Sequence, residues 1–254
     1  MIIITMILSV CGITLGFVLH NYYAPPAERP VYIIPHHLDD TLRIAYIGDS
    51  WAAMHNEHPC IIAQIISERI HRPVKVLSYG LHGKTSKEIY ESLFDHHDMH
   101  FLIEQGCDYC FISAGINDTY KEMSTDYYKI SMDLIIQFML ANNIHPIILE
   151  IPDYDIRKSY NWQRPSRKWL RRFSMFVTGT PLECKQEFRN TLKSIILEKN
   201  YQDKVDLIGI QEWNSHYIED LKTYYVGDGM HLNQNGYKKL DSCIAQHIIR
   251  LIPN

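Results

Sequence analysis

"LRIAYIGDSW", residues 42–51, decides how the rest of the chain is read. Leu42 to Gly48 form a short apolar run ending in glycine, the pattern of a strand buried on both faces. Aspartate and serine follow at once. A serine at the exit of a buried strand, with a helix to come, is held in a tight turn with its backbone N–H free to face a ligand. The same residues also fit ordinary helix capping by Asp49 or Ser50. What the neighbouring strands deliver decides between the two.

The same rhythm recurs along the chain. "VKVLSYG" (Val74 to Gly80), "DYCFISAG" (Asp108 to Gly115), "HPIILEIP" (His145 to Pro152) and "KVDLIGI" (Lys204 to Ile210) read as four further strands. Helical patterns lie between them: "CIIAQIISERIH" after Pro59, "SKEIYESLF" after Thr85, and "YYKISMDLIIQFMLANN" before the fourth strand. "CKQEFRNTLKSIILEKN" and the terminal "NGYKKLDSCIAQHIIRLI" complete the set. Alternating strand and helix predicts an α/β fold, a parallel sheet with helices on both faces. Sites in such sheets form in the loops beyond the carboxyl ends of the strands.

Those loops carry chemistry. The second strand exits into "YGLHGKTS", where Gly80 and Gly83 let backbone N–H groups approach a substrate oxygen, although "KTSKE" is equally a helix start. The third exits into "GINDTY", where the Asn117 amide is a donor for a developing oxyanion and Asn-Asp is equally turn chemistry. Near the C-terminus, "DGMHLN" sets Asp228 three residues before His231. A carboxylate there holds the imidazole Nδ1–H and leaves Nε2 facing a serine. Each signal alone is modest, but all four fall at one end of the predicted sheet.

In this order the four stretches resemble the consensus blocks of the SGNH (GDSL-type) hydrolase superfamily. Its members are esterases and acyltransferases on a three-layer α/β/α sandwich with a flavodoxin-like parallel sheet of about five strands. The resemblance covers residues 42 to 251. It implies Ser50 as nucleophile and His231 with Asp228 as base and orienting acid. It also implies an oxyanion hole of the Ser50 and Gly83 N–H groups with the Asn117 amide. "GKTS" favours Gly83 over Gly80. Asp49, Trp51, Gly80 and Asp118 are candidates for the substrate pocket. One departure is Ser78, where the family often has asparagine five residues before the glycine. The mechanism implied needs no metal or cofactor. The expected function is hydrolysis of acyl esters, acetyl first among them, on a carbohydrate. The alternatives are a glycan O-acyltransferase using the same acyl-enzyme, a lysophospholipase, and a non-catalytic glycan-binding protein.

Composition bounds the remainder. The 254 residues, 46% hydrophobic and 21% charged, suit one domain over residues 42–254, and a net charge of −4 gives no reason to expect nucleic acid. Residues 1–20 carry no charge from Ile2 to Leu19 and read as a membrane anchor or signal segment. "LSVCG" resembles a lipoprotein site, but the apolar run continues past Cys11. That segment reads as anchoring the domain to a membrane, and the family resemblance implies the extracytoplasmic side, with orientation poorly specified because Arg29 is the only basic flank. Residues 21–41 are proline-rich and read as a linker.

An insert at 153–182 holds seven basic side chains between Arg157 and Arg172 and no acid in that stretch. It is interleaved with Trp169, Leu170, Phe173, Met175 and Phe176. It reads as a solvated helix with a core-facing stripe, as a segment lying on anionic lipid, or as a site for acidic glycan. "HHDMH", residues 96–100, reads as a solvated loop rather than a metal cluster, and His55 and His58 as surface histidines or pocket-mouth residues. Cys107 and Cys110 have redox-motif spacing, but in a strand they point to opposite faces, so Cys110 reads as core packing.

Overall fold

The five apolar runs form one sheet. The computed structural model describes residues 2–252, with side chains from residue 4 onward. Helix α1 (Ile2–Tyr23) comes first, then β1 (Leu42–Gly48), α2 (Ser50–His55), α3 (Ile62–Ile70), β2 (Val74–Gly80), α4 (Ser86–Asp95) and α5 (His97–Glu104). Strand β3 (Tyr109–Ser113) leads to α6 (Ile116–Tyr120), α7 (Thr125–Ala141), β4 (His145–Leu149), α8 (Ile156–Trp162) and α9 (Pro165–Thr178). The chain continues through α10 (Lys185–Glu198), β5 (Asp206–Ile208), α11 (Ile210–Trp213), α12 (Tyr217–Tyr224) and α13 (Gln234–Leu251).

The strands are all parallel, in the order β2-β1-β3-β4-β5. Strand β1 pairs with β2 from Leu42↔Val74 to Gly48↔Gly80 and with β3 from Ile44↔Tyr109 to Gly48↔Ser113. The winding direction reverses between β1 and β3, so the loops leaving these two strands part and open a crevice at their carboxyl ends. Helices α2, α3 and α13 pack on one face of the sheet, and α4, α5, α7 and α10 on the other.

Burial follows the sequence pattern. Ile44, Ala45, Tyr46 and Ile47 of β1 are buried, as are Phe111 and Ile112 of β3 and Ile147 and Ile148 of β4. Each large apolar side chain so buried is worth about 1.5–3 kcal/mol. The edge strand β2 is only half-buried. Local caps set the helix starts. The Thr85 side chain and Glu88 form a reciprocal capping box on α4, and the Asn233 side chain accepts from the N–H groups of Asn235 and Gly236 at α13.

Three expectations are corrected. The "HHDMH" stretch is not a loop, because Met99, Leu102 and Ile103 at helical spacing bury one face of α5. Residues 24–41 lack regular structure and are strapped to the domain by hydrogen bonds. The Arg29 N–H donates to the Tyr90 hydroxyl at 2.9 Å, the Tyr32 hydroxyl to the Leu93 carbonyl at 2.7 Å, and the Ile34 N–H to Asn142 Oδ1 at 2.7 Å. The basic insert is inside-out for a solvated helix with an apolar core face. Arg171 and Ser174 of α9 are buried, whereas Trp169, Leu170 and Phe176 are exposed. Glu122 explains the inversion: it is fully buried and takes the Arg171 guanidinium as its counter-ion. His55, read as a surface or pocket-mouth residue, is buried against Asp241. Cys107 and Cys110 are both buried and both free.

Candidate active site

The close approach of β1 to β3 sets the geometry. A Cβ on Gly48 would lie 2.1 Å from the Ser113 carbonyl oxygen, so only glycine fits, and the Asp49 N–H donates to that oxygen at 3.0 Å. The chain then turns sharply into α2. Asp49 accepts from the Trp51 N–H at 3.0 Å, so Ser50 is the first helical residue, 7% exposed. Its N–H belongs to the first turn, where no helical carbonyl reaches.

Ser50 Oγ lies 2.9 Å from His231 Nε2, and His231 Nδ1 lies 2.6 Å from Asp228 Oδ2. An ionised carboxylate only accepts, so Nδ1 carries the proton and Nε2 is left to accept from the serine hydroxyl. The turn is rigidly built. Asp228 Oδ1 accepts the N–H groups of Met230 and His231 at 2.8 and 3.0 Å, and the Tyr217 hydroxyl donates to the Gly229 carbonyl at 2.6 Å. Burial alone would raise the Asp228 carboxyl. The His231 ring and the two N–H groups outweigh it and hold the carboxyl below its ordinary range.

Gly83 and Asn117 complete the arrangement. Gly83 has φ 71°, and its N–H has no acceptor among the described residues. Asn117, in the first turn of α6, donates through Nδ2 to Asp49 Oδ2 at 3.3 Å. With Ser50, Asp228 and His231, both residues line one cavity of about 450 Å³.

None of Asp49, Trp51, Gly80 and Asp118, the expected pocket residues, lines that cavity. Asp49 is fully buried and stitches Trp51 to Asn117. Burial pushes its carboxyl up to about 7, against those hydrogen bonds. Asp118 is buried as well. It accepts from the Ser86 N–H at 2.8 Å and the Ser86 hydroxyl at 2.5 Å, and burial lifts it to about 6. Trp51 is buried edge-on against Trp213. Gly80 lies beneath α2, where a Cβ would come within 2.0 Å of the Ala53 nitrogen. These residues hold the three loops together instead of meeting a ligand.

Walls the sequence did not announce come from α2, α6 and the end of α8: Met54, Tyr120, Lys158, Ser159, Trp162 and Gln163. Tyr120 stands three residues after Asn117, one helical turn on, and that spacing was a usable signal. The α8 residues had none, because a tertiary contact brings them there.

Among the described residues, two groups of side chains have atoms close enough together to share a metal ion: His36, His37 and Asp108, and His55, Cys60 and Asp241. Neither group lines the cavity. In the second, His55 Nε2 bonds Asp241 Oδ1 at 2.8 Å, and Asp241 Oδ2 accepts the Ile61 N–H at 2.9 Å. Burial alone would lower the His55 imidazole, but Asp241 overcomes it and lifts it to about 9. The pair pins α2 to α13.

The layers, the strand order and the crevice match the SGNH hydrolase fold. Solved structures share it across most of the chain. The lipase/acylhydrolase from Enterococcus faecalis is 17% identical with a TM-score of 0.58, over 84% of this chain and 97% of that one. A GDSL-like lipase from Bacteroides thetaiotaomicron is 15% identical with a TM-score of 0.51, over 83% and 89%. A variant of an acetyl xylan esterase from Geobacillus stearothermophilus is 16% identical with a TM-score of 0.53, over 82% and 94%. At these identities the likeness is one of fold. No protein-family model matches the sequence. No curated protein matches it either.

Proposed function

We propose that the protein is a serine ester hydrolase with Ser50, His231 and Asp228 as its triad. The observation that carries this reading is the continuous chain from Ser50 Oγ through His231 to Asp228, at 2.9 and 2.6 Å, opening on a cavity. As Ser50 Oγ forms its bond to the ester carbonyl carbon, His231 Nε2 takes the hydroxyl proton. Negative charge collects on the carbonyl oxygen, where the N–H groups of Ser50 and Gly83 and the Asn117 amide receive it. The carbon–alkoxy bond then breaks, and His231 returns the proton to the leaving alcohol. Water, deprotonated by His231, attacks the acyl-enzyme and releases the acid and Ser50. An acceptor alcohol in place of water would make the same site a transferase.

For the substrate, an acyl ester of a carbohydrate, acetyl first, is the leading reading. Acetyl xylan esterases among the structures of this fold support it. A lysophospholipase is the second reading. Trp162 stands exposed at the cavity wall, and Tyr120 and Gln163 line both this cavity and a second one at the end of α1.

The test is hydrolysis of p-nitrophenyl acetate, butyrate and octanoate by the full chain and by Ser50→Ala. Turnover lost in the variant supports the serine mechanism, and the chain-length profile separates the two substrates. Turnover unchanged by Ser50→Ala would sink the reading.

A further inference from the structure

The last turn of helix α1 packs against the domain that follows it. The 22 residues of the helix rise about 33 Å, enough to cross a hydrocarbon core of about 30 Å. Residues 4–18 are exposed throughout. The last turn is fastened instead. Lys87 Nζ donates to the carbonyls of Asn21 and Ala24 at 3.1 and 2.9 Å. Tyr22 and Tyr23 share a cavity of about 290 Å³ with Arg167, Leu170, Arg171 and Ser174 of α9. Tyrosines at the end of an apolar helix suit the headgroup level of a bilayer. Whatever lies beside them lies at that level too.

What lies beside them is the inverted helix α9. Arg171 is 6% exposed and faces inward, whereas Trp169 is 67%, Leu170 53% and Phe176 84% exposed. Trp169 stacks on Phe173 at 5.9 Å, and Trp169, Phe173 and Phe176 share a face by helical spacing. Trp162, at the end of α8, is 77% exposed. Around these rings Lys158, Arg164, Arg167, Lys168 and Arg172 have no acidic partner among the described residues. Lys158 lies over the Trp162 ring and Lys168 over Tyr160, so exposed aromatic rings alternate with cations that carry no carboxylate partner among the described residues, a surface that suits an anionic lipid interface.

We infer that the exposed aromatic and basic face of α8 and α9, with the end of α1, lies on an anionic bilayer surface. Trp162 lines the Ser50 cavity, so the cavity mouth opens at the level of the headgroups. This surface does not depend on the hydrolase reading, since its readout is physical contact with lipid.

The experiment places the full chain in nanodiscs of phosphatidylcholine and phosphatidylglycerol, with brominated or ordinary acyl chains. Tryptophan emission reports contact, because Trp51 and Trp213 are buried in the core while Trp162 and Trp169 are exposed. The expected result is a loss of emission in brominated discs that disappears in the Trp162→Phe/Trp169→Phe variant. Replacing Arg167, Lys168 and Arg172 by glutamate is expected to reduce the quenching in phosphatidylglycerol discs. Emission equal in brominated and ordinary discs, with Trp162 and Trp169 open to iodide, would overturn the inference and leave the face to a soluble partner. Quenching indifferent to the three glutamates and to phosphatidylglycerol would overturn its anionic component.

Discussion

Asn117 donates its side-chain amide to Asp49 Oδ2 at 3.3 Å, tying the loop after β3 to the turn that presents Ser50. The two residues have different tasks. Asp49 is sealed in the core and fixes the turn, while Asn117 reaches the cavity and retains a second amide hydrogen for a ligand. Asp118, next in sequence, repeats the device toward Ser86, so the loops after β1, β2 and β3 are bolted together by two buried carboxylates.

Asn117→Ala removes one donor of the proposed oxyanion hole. The expected cost is about 10²- to 10³-fold in kcat, with little change in KM, because the charge it meets exists only in the transition state. Steady-state kinetics on p-nitrophenyl acetate read the split. A variant that raised KM alone would make Asn117 a ground-state contact.

Asp49→Asn tests the buried carboxylate. The folded protein holds Asp49 at about 7, against an ordinary 3.8, chiefly because burial disfavours the ionised form. Stability from this group is therefore complete below about pH 4 and is lost as pH rises through 7. A displacement of that size is worth up to about 4 kcal/mol. The asparagine variant, neutral throughout, is expected to gain on the wild type between pH 4 and 7. Denaturant unfolding of both chains across that window measures it, and parallel profiles would refute the assignment.

Much of this was legible in the sequence, for local reasons. "LRIAYIG" and "VKVLSYG" are strands over the residues their apolar runs mark, and Thr85 with Glu88 caps α4 as "KTSKE" suggests. What failed was tertiary. Asp49 and Asp118 looked like pocket residues because they flank Ser50 and Asn117, yet their side chains turn inward, Asp49 to the Trp51 N–H of its own turn and the Asn117 amide, Asp118 to the Ser86 N–H of the neighbouring loop. The α9 pattern was read by hydropathy alone. It inverts because Glu122, 49 residues earlier, buries a carboxylate that needs Arg171. No one-dimensional period encodes such a demand.

Arg171→Ala should expose how α9 is held. It leaves Glu122 buried without its counter-ion, and breaking such a pair costs about 3–5 kcal/mol. In a domain of this size that corresponds to roughly 6–20 °C in Tm. Thermal unfolding gives the number. Replacing both residues by apolar ones of similar size should recover most of the loss, since the penalty belongs to the orphaned charge. A double variant as unstable as the single would place the cost in lost packing instead.

Asp228→Asn is the sharpest test of the triad, because the backbone dictates how the new amide must lie. Asp228 Oδ1 accepts two N–H groups, those of Met230 and His231, so the asparagine oxygen is required at that position. Its NH₂ then falls where Oδ2 stood, facing His231 Nδ1. An amide N–H there donates, which forces the imidazole proton onto Nε2 and turns that atom from acceptor to donor toward Ser50. The serine loses its base while the fold keeps its geometry. The expected fall in kcat is about 10⁴-fold, as for the equivalent change in serine proteases, with Tm nearly unchanged. Turnover within about tenfold of the wild type would mean that Asp228 does not set the tautomer of His231, and the triad assignment would fail with it.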